Sequence, residues 1–225
     1  MPLPDRAAVL AAAATLGLAI DEDQADGLLA YLALLQRWNA TYNLTAVRDP
    51  DAMWLQHALD CMAAVPAVRA LLPDGHDGRR LRILDVGSGG GLPGVVWALL
   101  LPQAEVVCVD AVGKKAAFIR QAAGLLRLAN LHARHARVEA LSDAPFDLIA
   151  SRAFASLADF TRLTRHLLAP GGRWLAMKGK PPADELAALD PHALMFHVEP
   201  LQVPGLDADR CLVWLQAAAA PAAKD

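Results

Sequence analysis

Residues 83–97, ILDVGSGGGLPGVVW, place five glycines within eight positions (Gly87, Gly89, Gly90, Gly91 and Gly94) just after the acid Asp85. Backbone this bare can turn sharply or lie directly against a ligand. The stretch reads in two registers. From Asp85 it is D-x-G-x-G-x-G; from Gly89 it is also G-x-G-x-x-G, the dinucleotide fingerprint. Asp110 stands 21 residues beyond Gly89, at the end of AEVVCVD, where a carboxylate could accept both hydroxyls of a ribose. That acid suits S-adenosylmethionine and a nicotinamide dinucleotide equally. Asp85 favours the methyl donor, because a carboxylate beside the turn repels a pyrophosphate and attracts an ammonium group. At about 4 Å such an interaction is roughly 4 kcal/mol at an effective dielectric of about 20, enough for the sign of the charge to decide.

Arg152 follows the strand-like FDLIAS, at the mouth where a substrate would arrive; the competing reading is a surface ion pair with Asp147 or Asp159. His57 and Asp60 lie three apart on a helical stretch and share a face. They either close over the cofactor or touch RNA, or else make a helix-face hydrogen bond that caps the core. Lys114, Lys115, Arg120, Arg127, Arg134, Arg137, Lys178 and Lys180 form a candidate phosphate-binding surface, against the alternative of a solvated face. Trp38, Trp54, Trp97, Trp174 and Trp214 read as core residues rather than base-stacking platforms. Cys61, Cys108 and Cys211 are far apart, and neither they nor the seven histidines have metal-ligand spacing, so no metal site is expected.

Strands and helices must hold these groups. The 225 residues suffice for one large domain with an extension, and 55% apolar composition supplies a sizeable core. No apolar run is long enough for a membrane span, and Ala7 to Ile20 reads as a buried first helix. The net charge of −3 divides into −4 over residues 1–80, +6 over 81–180 and −5 over 181–225, so the glycine-rich middle is basic. Leu28, Leu32, Leu35 and Trp38 form a helical stripe, and Asp49-Pro50 opens another helix. After a polar connector at 71–80, short apolar strands at LRILDV, AEVVCVD, about 131–138, FDLIAS and RWLAMKG alternate with helices at 92–101, 113–128 and 156–168, the last ended by APGG. ALMFHVEP and CLVWLQA read as two final strands, and an Ala-rich tail covers 217–223. The alternation predicts an α/β, doubly wound, mostly parallel sheet with helices on both faces.

RWNATYNLTAVRDPDAMWLQHALD, ILDVGSGGGLPG, VVCVDAVGKKAAFIRQ, FDLIASRAFASL and LLAPGGRWLAMKGK together resemble the bacterial ribosomal RNA small subunit methyltransferase G family, also called glucose-inhibited division protein B. The resemblance spans residues 24–180, with N-L-T-A, G-L-P-G and S-R-A-F-A-S-L as its most specific parts. It implies a class I S-adenosylmethionine-dependent methyltransferase fold (Rossmann-like) at 76–225, behind an N-terminal helical extension at 1–75 packed on the core. It also implies methyl transfer to N7 of one guanosine in 16S rRNA, in the decoding-region loop. The family's cofactor positions fall on Gly87, Leu92, Val138, Glu139 and Arg152, beside Asp85, Gly89 and Asp110 from the turn itself. Arg152 is also the candidate for positioning the base. Cys61 stands where the family commonly has serine, which puts a hydroxyl contact in question. Guanine N7 carries a free lone pair, so no catalytic base is required, and positioning alone can lower a barrier by roughly 7–11 kcal/mol.

The expected partners are 16S rRNA or the 30S subunit, in the cytoplasm and away from membrane, with the protein a monomer. Two readings remain open beside this one: a nicotinamide-dependent oxidoreductase built on the Gly89–Gly94 fingerprint, and a regulator that binds S-adenosylmethionine without transferring methyl.

Overall fold

The computed structural model describes residues 3–73, 79–189 and 192–218. The expected domain boundary at 75/76, the middle of the connector and most of the Ala-rich tail lie outside the described residues. Seven strands form one sheet: β1 Leu81–Val86, β2 Ala104–Asp110, β3 Leu131–His135, β4 Phe146–Arg152, β5 Leu168–Lys178, β6 Ala193–Pro200 and β7 Cys211–Ala217. Their order is β3-β2-β1-β4-β5-β7-β6, with β7 antiparallel to both neighbours and the first five strands mutually parallel. The winding direction reverses between β1 and β4, and the crevice beyond their carboxyl ends is where such sheets take ligands.

β1 and β4 are buried along nearly their whole length, as central parallel strands covered on both sides must be. Successive residues point to opposite faces. Ile83 and Leu148 join one core; Leu84 and Ile149 join the other. On the first face lie α6 (Gly94–Leu100) and α7 (Gly113–Leu125), together with the N-terminal helices α1 (Arg6–Thr15) and α2 (Glu22–Tyr42). The second face is covered by α8 (Leu157–Thr164). Helix α2 is started by a capping box between Asp21 and Gln24 and buries Leu28, Leu32 and Leu35. Its Tyr31 hydroxyl donates to the Gly90 carbonyl at 2.6 Å, tying the helix to the glycine turn.

The region that carries His57 and Asp60 is not a plain α-helix. α3 (Pro50–Met53) opens on the Asp49 cap, Trp54–Leu59 is π-helical, α4 (Asp60–Ala63) continues and α5 (Val65–Arg69) follows. Three smaller differences from the sequence reading have local causes. The third strand stops at His135, and Val138–Ala140 forms a 3-10 turn. Helix α8 stops at Thr164, followed by the 3-10 turn Arg165–Leu167. APGG therefore does not end the helix; it bulges from β5, where pairing jumps from Phe146↔Leu168 to Leu148↔Arg173 with Gly171 at φ 74°.

Candidate active site

Two cavities open beyond the carboxyl ends of β1, β2 and β4, and both are lined by Gly87 and Ala153. The larger, about 560 Å³, is walled by the loop Leu44–Val47, by Gln56, His57 and Asp60, by Gly89 and Leu92, and by Arg152, Lys178 and Arg210. The second, about 420 Å³, is lined by Asp110, Lys115, Val138, Glu139 and Phe154. Seven of the eight expected cofactor residues thus border one cavity or the other. Gly87 sits at φ 68°, and a Cβ there would lie 2.6 Å from the Phe154 ring, so the ridge between the cavities has to be bare.

Asp85 is the exception. It is fully buried and borders neither cavity, which corrects the expectation of a carboxylate turned directly toward the ligand. Its Oδ2 accepts from the Gly94 N–H at 2.9 Å, at the start of α6. Gly94 is bare because a Cβ would collide with Cys108 Sγ and approach Asp85 Oδ2 at 2.9 Å. Oδ1 is the one buried side-chain polar atom without a partner among the described residues. Burial pushes the Asp85 carboxyl up to about 6.

The turn's N–H groups are largely committed within the protein. Gly87 and Ser88 donate to Val109 O, Gly91 and Leu92 to Ser88 O, and Gly89 to Asp110 Oδ2 at 3.0 Å. A pyrophosphate on this helix N-terminus would find those amides occupied and a buried carboxylate behind them, so the dinucleotide fingerprint is not used as one. Asp110 is held at its β2 position by Gly89 N and by Val112 N at 2.9 Å, with Lys115 3.7 Å away. Each carboxylate oxygen has further acceptor capacity, and Asp110 lines the second cavity.

Arg152 is not paired on the surface with Asp147 or Asp159. Those acids are held by Arg79 and by Arg162. Instead its guanidinium reaches across to the π-helical turn. Nη1 donates to Gln56 O at 2.6 Å and Asp60 Oδ2 at 3.2 Å, and Nη2 lies 3.2 Å from His57 Nδ1. Asp60, 2% exposed, also accepts from Arg210 Nε at 3.0 Å. His57 Nε2 lies 2.7 Å from Thr45 Oγ1, and burial together with Arg152 lowers the His57 pKa to about 4. His57 and Asp60 thus form a buried hydrogen-bonded network, and both also line the larger cavity.

Cys61 is fully buried and borders neither cavity, so a hydroxyl in its place would not reach a ligand in either one. Of the basic residues, Lys114, Arg120, Arg127, Arg134, Arg137 and Lys180 are exposed, whereas Lys178 is half-buried and paired with Glu185 at 2.9 Å. Four of the five tryptophans are buried, and Trp38 is half-buried against α7 through Gln121.

Sequence reasoning missed Thr45, Gln56 and Arg210 as cavity residues. The N-L-T-A motif was a signal for the first. Nothing near Arg210 marks it, because only the antiparallel return of β7 brings it to Asp60, 150 residues away. No metal-ligating cluster occurs among the described residues.

Residues 24–213 match the family model described as rRNA small subunit methyltransferase G. The ribosomal RNA small subunit methyltransferase G of Leptothrix cholodnii is 57% identical over 213 residues, covering 95% of this chain and 96% of the relative. That of Acidovorax ebreus is 58% identical over 205 residues, covering 89% and 90%. Among solved structures, TrmN from Thermus thermophilus superposes with a TM-score of 0.53 at 24% identity, over 70% of this chain and 48% of that one. A predicted O-methyltransferase from Agrobacterium tumefaciens gives 0.54 at 23%, over 72% and 81%. These two are similar in fold, the class I methyltransferase arrangement.

Proposed function

Because the chain belongs to the rRNA small subunit methyltransferase G family, we propose that it methylates N7 of one guanosine in 16S rRNA. It is an S-adenosylmethionine-dependent rRNA methyltransferase. The residues present fit the cofactor. Gly87 leaves bare backbone between the two cavities, Asp110 offers a carboxylate, Val138 and Leu92 supply apolar walls, and Asp85 places a buried acid behind the turn. In this reading Asp110 and Glu139 hold the ribose, Val138 packs the adenine, and Gly87, Gly89 and Leu92 border the amino-acid end near Arg152. Asp85 acts through the turn it fixes and through its charge. When bound, the cofactor supplies an electrophilic sulfonium methyl group.

One observation supports N7 as the acceptor: among the described residues, the histidine, the carboxylate and the lysine that line the larger cavity are all engaged in pairs. His57 is engaged at both ring nitrogens, Asp60 is held by two arginines, and Lys178 is paired with Glu185. An acceptor with a proton to lose would lack a base here, whereas guanine N7 attacks with an existing lone pair. What this chain does is hold that nitrogen in line and keep water away. The exposed cations on α7 and β3 serve the RNA backbone, the protein acts as a monomer in the cytoplasm, and the 30S subunit or its rRNA is the substrate. The test is the mass of 16S rRNA fragments after incubation with protein and methyl donor, alongside equilibrium binding of S-adenosylhomocysteine and NADH. One added methyl on a guanosine fragment, with S-adenosylhomocysteine bound and NADH ignored, is the expected result. Binding without methyl transfer to any form of the RNA would favour the regulator.

A further inference from the structure

The Thr45 hydroxyl lies on the wall of the larger cavity, and its hydrogen-bond surroundings determine which way it can act. A guanidinium has donors and no acceptor, so Arg152 Nη2, 3.2 Å from His57 Nδ1, requires Nδ1 to be the accepting nitrogen. The same guanidinium donates through Nη1 to Gln56 O at 2.6 Å. One cation thereby bridges two acceptors that otherwise face each other at 3.0 Å. With Nδ1 unprotonated, the neutral imidazole carries its proton on Nε2 and donates it to Thr45 Oγ1 at 2.7 Å. The Val47 N–H donates to the same oxygen at 3.1 Å. A hydroxyl has two lone pairs and one proton. Both lone pairs of Thr45 are taken, and its proton has no acceptor among the described residues.

We infer that Thr45 is a fixed hydrogen-bond donor to O6 of the acceptor guanine, and that it selects guanine over adenine at the methylated position. The inference rests on the guanine-N7 reading above. O6 is the neighbouring acceptor on the N7 edge of guanine, so a donor there orients the base and leaves the N7 lone pair free. Adenine also has an N7 lone pair, and transfer chemistry alone does not exclude it. Adenine presents an amino group in place of O6, and a hydroxyl with both lone pairs occupied cannot accept from it. Arg152 and His57 therefore act on specificity at one remove, by setting the direction of one proton.

The test uses the full-length protein and substrate RNA in the form it methylates, naked or assembled. The target is either guanosine or 2-aminopurine riboside, which keeps N7 and lacks O6. Single-turnover transfer rates are compared for wild type, Thr45→Ser and Thr45→Val. The wild type is expected to slow roughly three- to tenfold on 2-aminopurine, the loss of one neutral hydrogen bond. Thr45→Val is expected to slow by a similar factor on guanosine and to show no further loss on 2-aminopurine, while Thr45→Ser, which keeps the hydroxyl, keeps the discrimination between the two targets. Equal wild-type rates on the two targets would overturn the inference even if Thr45→Val did not fold. So would losses that multiply in the combined case, which would mark a merely structural role. No transfer by wild type to guanosine RNA would overturn the N7 reading itself, and this inference with it.

Discussion

Arg152 reaches three acceptors on one short helical turn, and its shape matters as much as its charge. Arg152→Ala would leave Gln56 O and His57 Nδ1 without their donor and Asp60 with Arg210 alone. Methyl transfer is expected to fall at least tenfold, with a loss of stability of about 1–3 kcal/mol rather than an untouched fold. Arg152→Lys restores one charge contact but not the fork, so thermal melts should recover more than transfer rates do. His57 gives a pH signature. Its pKa is held near 4 in the folded state against an ordinary 6.5, chiefly by burial. Between these values the unfolded chain binds a proton that the folded protein does not. Its contribution, on the order of 3 kcal/mol, is thus present above pH 6.5 and lost as pH falls toward 4. Asp85 works in the opposite sense. Its raised pKa of about 6 favours the folded state at low pH and loses that contribution as pH rises through 6. Melting temperatures from pH 7 to 4 should therefore fall less in His57→Gln than in wild type, and a parallel fall would refute the assignment.

At the scale of elements, the glycine turn is held from outside as well as from within. Helix α2 lies over it, and Tyr31 donates to Gly90 O from a fully buried position. Tyr31→Phe keeps the ring packing but leaves a buried carbonyl unpaired, at about 1–3 kcal/mol. The expected results are a lower melting temperature and weaker S-adenosylhomocysteine binding by calorimetry, because the turn borders the larger cavity through Gly87, Gly89 and Gly90. An unchanged dissociation constant would show that the turn is held by its own bonds alone. The π-helical turn Trp54–Leu59 has a comparable role. It carries Gln56 and His57 on the larger cavity's wall, and a local widening of this kind often marks a functional site.

For the whole molecule, the N-terminal helices and one face of the sheet share a single buried cluster that runs from Val9 to Trp214. Their loop Leu44–Val47 and the π-helical turn together form one side of the larger cavity. The N-terminal helices and the loop after them thus contribute to the core and to the cavity wall alike. Lys114, Arg120, Arg127, Arg134, Arg137 and Lys180 are exposed, and Arg134 is paired with Asp143 at 3.2 Å. If six or more contacts form, RNA affinity should drop roughly 10³- to 10⁵-fold between 50 and 200 mM salt. A nearly flat response in a filter-binding titration would remove this surface from the RNA interface.

The sheet and the glycine turn were legible in the amino-acid order, because each depends on local signals. Alternating apolar strands, an acid at the end of β2 and glycines at fixed spacing act within a few residues of one another. The amino-acid order also carried the family, through motifs such as N-L-T-A and S-R-A-F-A-S-L. That Asp85 is buried and bonded to Gly94 rather than open to either cavity came only with folding, since Gly94 and Cys108 meet it only then. The same holds for the larger cavity, where residues 45, 57, 60, 152 and 210 converge from separate elements. Their hydrogen bonds span 92 to 150 positions between Asp60 and its two arginines, and no local pattern encodes a contact at that distance. Which way the proton on Thr45 points follows from that convergence, because the direction is set by neighbours that share no stretch of sequence with it.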